Sequence, residues 1–287
     1  DLSKNFSNDE IFEIFKGKKQ ILLFLIQSNI LKVDDSFVEK ITTYKYMTKK
    51  YPEYFLPEIK PFVTESWFSK RKIGKDLPEN FEINRKIGEN EDLICQIIRK
   101  DSIEEFIIFV EKNDYSLNKK IVPSIYETNS YLINKELSLI KYAAFFGSCQ
   151  IFKYLNLNGV DLKSSLWVYA VHSNNPELIH LLEENKVEFK KGIHEKILFE
   201  SIKCHHIDIT NYIQNNYSKN EEEEDKKDKI DISSEINNQS IKYYNFAFIR
   251  NIFNEFTFCQ FCKYDYYYIV KSFLDEYKID VNAKQIF

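Results

Sequence analysis

Cys259 and Cys262 stand at the CxxC spacing of half a zinc site, and Cys204, His205 and His206 offer further ligands of the right type. Those side chains are the set that could hold a tetrahedral metal. Two features oppose it: the two cysteines fall three residues apart on one face of a helix-periodic segment, where buried thiols pack as small apolar groups, and a charged stretch separates them from the other group. No metal is expected. His172, His180 and His194 have no partner set resembling a catalytic triad. None of the 6 glycines stands in GxGxxG or GxxxxGK spacing, which excludes the usual nucleotide cradles. The acidic run at 221–225 lacks the DxDxDG spacing of a calcium loop and reads as a solvated segment. The expectation is a chain without cofactor and without catalysis.

Composition narrows the classes further. The chain has 287 residues, 44% hydrophobic, enough for a large core or an array of small ones. Its 19 Tyr and 24 Phe accompany abundant Ile, Asn and Lys, a bias that AT-rich codons produce, so the aromatics read first as core filler. With 40 basic against 44 acidic residues, a formal charge of -4, a general nucleic-acid binder is not expected. The 5 cysteines are an odd number without disulfide-scaffold spacing, which fits a reducing, intracellular and cytoplasmic setting. The longest apolar run, residues 21–26, is far short of the roughly 20 residues of a membrane span, so no span is expected. The chain begins at Asp1 rather than Met, which leaves room for a removed targeting segment.

The elements that must position any site show an internal repeat. Residues 138–162, SLIKYAAFFGSCQIFKYLNLNGVDL, align without a gap on residues 165–189, SLWVYAVHSNNPELIHLLEENKVEF. Ala143 falls on Ala170, Ile151 on Leu178, Leu155 on Leu182, Asn158 on Asn185 and Val160 on Val187. Weaker copies of a turn followed by an apolar second helix start at Gly17, Ser102, His205 and Asp265. The residues aligned with Gly147 are Asn174, His205, Asp265, Ser102 and Gly17, mostly types that tolerate positive φ at a helix end. Pro176 sits where a second helix starts and a missing N–H costs nothing.

This pattern resembles the ankyrin repeat, and more narrowly the ankyrin-like domain of unknown function expanded in parasitic protists. The blocks LIKYAAFFGSCQIFKYL, SLWVYAVHSNNPELIHLLEEN and IRKDSIEEFIIFVEKNDYSLN carry the resemblance, with the exit Asp280-Val281-Asn282; the TPLH tetrad of that family is absent from every unit. The resemblance implies an all-α fold, an α-solenoid of degenerate ankyrin-type helix-turn-helix repeats. It also implies a non-catalytic module that binds a protein partner through a concave groove and loop tips. The alternative is a regulatory or targeting fragment of a larger enzyme whose catalytic domain lies outside this chain.

Four regions follow along the chain. Residues 1–86 form a helical N-terminal part, with a degenerate repeat at 8–31 opened by a Ser7–Glu10 capping box and later punctuated by Pro52, Pro57, Pro61 and Pro78. Repeats occupy 87–217, a charged disordered insertion 218–240, and a final truncated repeat 241–287. Trp167 aligns with Ile140 and is expected inside, whereas Trp67 has no assigned side. The two residues before each turn are the variable surface pair of an ankyrin unit. This makes Phe145, Phe146, His172, Ser173, Lys203, Lys263 and Tyr264 the candidate partner-binding residues. Phe145 and Phe146 have a second role open to them, sealing the neighbouring repeat.

Overall fold

The first helix turns need acceptors for their orphan N–H groups, and Ser7 supplies one. Its hydroxyl accepts from the Glu10 N–H while the Glu10 carboxylate accepts from the Ser7 N–H at 2.8 Å, the expected capping box. The computed structural model describes residues 2–43, 51–71, 77–189, 193–217, 232–249 and 255–276. They divide into two compact units, one of Asp1–Lys100 with Glu104–Leu139, the other of Asp101–Ile103 with Ile140–Phe287. The division falls at Leu139, well past the 86/87 boundary expected from sequence.

In the first unit α1 (Leu2–Asn5), α2 (Asn8–Phe15), α3 (Lys19–Gln27), α4 (Asp35–Thr43), α5 (Tyr51–Tyr54) and α6 (Leu56–Ile59) close over one core. Phe12, Phe37 and Phe55 meet edge to face, with centroids 5.6 and 6.1 Å apart, and Trp67 of α7 (Glu65–Arg71) packs half-buried against the same cluster. The proline-punctuated stretch therefore supplies core. Buried charges are matched. The Lys19 ammonium donates to the carbonyls of Ile125 and Glu127 at 2.8 and 3.2 Å and lies over the Tyr54 ring. Arg85 of α8 (Phe81–Ile87) pairs with Glu58 at 2.8 Å. Next come α9 (Leu93–Arg99) and α10 (Ile103–Lys112), then a two-stranded antiparallel hairpin, β1 (Lys120–Ile121) with β2 (Leu137–Ser138), registered Lys120 to Ser138. These are the only strands among the described residues.

The second unit stacks helix pairs. They are α11 (Leu139–Phe146) with α12 (Cys149–Leu157), α13 (Leu166–His172) with α14 (Pro176–Glu184), and α15 (Ile193–Lys203) with α16 (Ile207–Tyr217). Next, α17 (Ile232–Lys242) is followed by a 3-10 turn (Phe246–Phe248), and α18 (Glu255–Lys263) pairs with α19 (Tyr267–Glu276). Each first helix ends at a left-handed residue: Gly147 (φ 72), Asn174 (52), His205 (60), Tyr244 (58) and Asp265 (57). At Gly147 any side chain would also crowd Ser173, whose Cβ lies 3.2 Å from where a Cβ would stand. The N–H after the turn then reaches back to close the helix end, as in Ser148 to Ala143, His206 to Ser201, Asn245 to Ser240 and Tyr266 to Phe261. Most of those acceptor positions carry a small, fully buried residue: Ala143, Ala170 at the matching place, Ser201 and Ser240. Small side chains there let first helices approach, and α13 packs on α15, α15 on α17, and α17 on α18. Trp167 is buried at 2% exposure and donates its indole N–H to the Val187 carbonyl.

The architecture is all-α with stacked helix-helix packing, that of a helical repeat. Several expectations change in detail. The insertion expected at 218–240 ends early, because 232–242 is helical with Ile236 and Ile241 buried; residues 218–231 lie outside the described ones. That helix opens a unit of its own with its turn at Tyr244, so the last unit starts at α18 rather than near 241. The left-handed residue before α10 is Asp101 (φ 50), not Ser102, and Gly17 has no positive φ. The Asp280-Val281-Asn282 exit lies outside the described residues. Among those described, no helix is long and apolar enough to cross a membrane.

Candidate functional site

The repeat puts the pairs Phe145-Phe146, His172-Ser173, Lys203-Cys204, Lys242-Tyr243 and Lys263-Tyr264 at equivalent places, directly before the left-handed residue. Phe145, at 7% exposure, is buried; its ring lies 5.1 Å from that of Phe146 and 4.9 Å from that of His172, tilted 30° to the latter. It seals one unit against the next, while Phe146 is half-buried and leans on Tyr142. The Ser173 hydroxyl is spent on the Ala170 carbonyl at 2.7 Å. Lys203 holds both Glu200 oxygens at 3.3 Å and sits over the Tyr243 ring. In the last unit Lys263 is exposed beside Tyr264, whose hydroxyl donates to Asn238 of α17.

The register of the pre-turn positions brings α13 and α15 together at a chemical cluster. His172 ends α13; Glu200 and Cys204 lie four residues apart at the end of α15, on one helix face. Cys204 Sγ is 3.3 Å from His172 Nδ1, and His172 Nε2 is 3.2 Å from Glu200 Oε2. Cys204 faces one ring nitrogen of His172 and Glu200 lies within ion-pair distance of the other. Thiol, imidazole and carboxylate therefore stand in series. Burial pushes the Cys204 thiol up to about 11, and the Glu200 carboxylate adds to it, so the sulfur is held protonated at neutral pH. Burial also acts to raise Glu200, but the His172 hydrogen bond and the Lys203 charge prevail and hold it below the ordinary carboxylate value. A protonated thiol is a weaker nucleophile than a thiolate.

The same cluster overturns the expectation of no metal. A His172 nitrogen, the Cys204 sulfur and a Glu200 oxygen all lie within 4.8 Å of one another, a ligand set of mixed type in one half-buried place. The sequence reading weighed the wrong partners. Cys262 is exposed and Cys259 half-buried on α18, and His206 uses Nδ1 to donate to the Val171 carbonyl at 2.8 Å. What brings Cys204 its partners is the stacking of consecutive first helices, which residue spacing along the chain does not reveal. Glu200 was not singled out, although its place one helical turn before Cys204 was legible.

A second feature lies at the turn tips of the last units. Tyr244 is 67% exposed, Phe246 43%, Tyr267 63% and Tyr268 84%. Tyr266 joins them, 4.8 Å from Tyr244 and 5.6 Å from Phe246 between ring centroids. Lys242 lies beside this group, over the Tyr243 ring. One signal could have exposed it: Ser201-Ile202-Lys203 recurs as Ser240-Ile241-Lys242, each ending two residues before the left-handed residue of a turn. Comparison of the chain with family models, with curated proteins and with solved structures gives no significant match.

Proposed function

We propose that the chain is a non-catalytic protein-binding module of the ankyrin type, engaging its partner through the turn tips and pre-turn edge of the second unit. The observation that carries the reading is the group of aromatic side chains left in solvent at two successive turns, Tyr244, Phe246, Tyr267 and Tyr268. Large aromatics gain most from burial, and clustered exposed ones mark surfaces that a partner covers. Lysine stands just before each of these two turns, Lys242 and Lys263, so the partner surface that fits is acidic with apolar anchors. The ankyrin-type assignment draws support from the left-handed turns and from the side chains that lace unit to unit. Asn175, His206 and Asn245 each occupy the position after the left-handed residue, and each donates to a carbonyl of the preceding unit.

The test is a Tyr244→Ser/Tyr267→Ser/Tyr268→Ser variant. Binding to proteins retained by the immobilised wild-type chain should weaken at least about thirtyfold, since truncated anchors cost about 2 kcal/mol or more. The melting temperature should stay within a few degrees. Unchanged retention by the folded variant, and by a Lys242→Glu/Lys263→Glu variant, contradicts the reading.

A further inference from the structure

We propose that Cys204, His172 and Glu200 bind a single thiophilic divalent ion of the zinc class, a site separate from the aromatic turn tips. The donors are one sulfur, one imidazole nitrogen and one carboxylate oxygen, the set that borderline-soft ions prefer over magnesium or calcium. The geometry is close to what such an ion needs. With Zn–S about 2.3 Å and Zn–N about 2.0–2.1 Å, tetrahedral ligands lie about 3.5 Å apart, and Cys204 Sγ is 3.3 Å from His172 Nδ1. The ring nitrogen that faces the sulfur is Nδ1, so an ion held there lies between thiol and imidazole. One carboxylate oxygen supplies the third ligand, and Lys203, 3.3 Å from both oxygens, keeps the group oriented. Solvent fills the fourth position.

Access and charge agree with this assignment. The His172 and Glu200 side chains are 9% and 18% exposed and Cys204 is half-buried, so the cluster is sheltered yet reachable. Thiolate and carboxylate together match the charge of a divalent ion, and Lys203 adds one positive charge. Binding forms the metal–sulfur bond and breaks the S–H bond, sending one proton to solvent with no change of oxidation state. The titratable groups around the thiol are His172 on α13, Glu200 and Lys203 on α15, and His205 and His206 in the following turn.

The experiment uses the full chain, reduced and stripped with chelator, titrated with Co2+ alone and followed by thiolate-to-cobalt charge-transfer absorption. The expected result is saturation at one ion per chain, one proton released per ion, and loss of the band when Zn2+ is added. Cys204→Ser should abolish the band; His172→Ala and Glu200→Gln should each weaken binding at least about tenfold. Cys259→Ser/Cys262→Ser should leave it intact. X-ray absorption at the metal edge of the zinc-loaded wild-type chain should find one sulfur neighbour, a readout that needs no variant to fold. No charge-transfer band in the wild-type chain overturns the proposal. So does a band that survives Cys204→Ser, or two sulfur neighbours at the edge.

Discussion

Phe145 shows what a pre-turn residue does when its neighbour is aromatic as well: it turns inward and lies against His172 of the next unit. Phe145→Ala should therefore lower the unfolding free energy by about 3–5 kcal/mol, as truncations of buried Phe do. Phe146→Ala, at a half-buried position, should cost clearly less; a urea titration of both variants checks the order. His206 carries a different residue-level consequence. Burial pulls its pKa below the ordinary value of about 6.5, outweighing the hydrogen bond to Val171, and the neighbouring imidazoles His172 and His205 pull the same way. The folded chain thus binds its proton less well than the unfolded chain. Stability is fully present above about pH 6.5 and is lost as pH falls through the lowered folded value. His206→Asn should keep the inter-unit bond, since Asn175 and Asn245 make it at the equivalent places, and should flatten this loss below about pH 6.5. Melting temperature against pH for the two chains is the measurement; equal acid sensitivity would show that His206 is not its source.

At the scale of elements, helix ends decide the register. Asp101 accepts from the backbone N–H groups of Gln150 and Ile151 at 3.0 Å through its two carboxylate oxygens, capping α12 from a turn far away in sequence. Asp101→Ala should cost about 1–2 kcal/mol for the cap alone, and Asp101→Asn less, because Asn keeps an acceptor and tolerates the left-handed backbone. Calorimetry of the two variants tests that order. Asp101 also shows why turn positions were only partly legible. Ser102 looks like the start of a helix by residue type, and nothing local distinguishes it from the Asp before it. Asn174, His205 and Asp265 align with Gly147 and are of types that tolerate positive φ, whereas Tyr244 adopts it at φ 58 without that signature. The unit it belongs to was consequently read as insertion. The His172–Glu200–Cys204 cluster escaped for another reason: its members come from successive first helices, and their meeting depends on inter-unit register.

For the molecule as a whole, helical periodicity and the aligned blocks at 138–189 were enough to foresee stacked helix pairs, because each pair leaves an apolar face that only a neighbour can cover. The spacing between the small residues Ala143, Ala170, Ser201 and Ser240 is uneven, so a fixed period loses the later units even though their closing bonds are the same. The N-terminal unit follows different rules, with short helices and matched buried charges around a separate core. The central claim is that the exposed turn tips of the second unit are a protein-binding surface, and its most direct measurement is hydrogen exchange of the full chain with and without a captured partner. The account predicts slowed exchange at 242–246 and 263–268 with little change in α12 and α14. Protection confined to α12 and α14, with the tips exchanging as in the free chain, would contradict it.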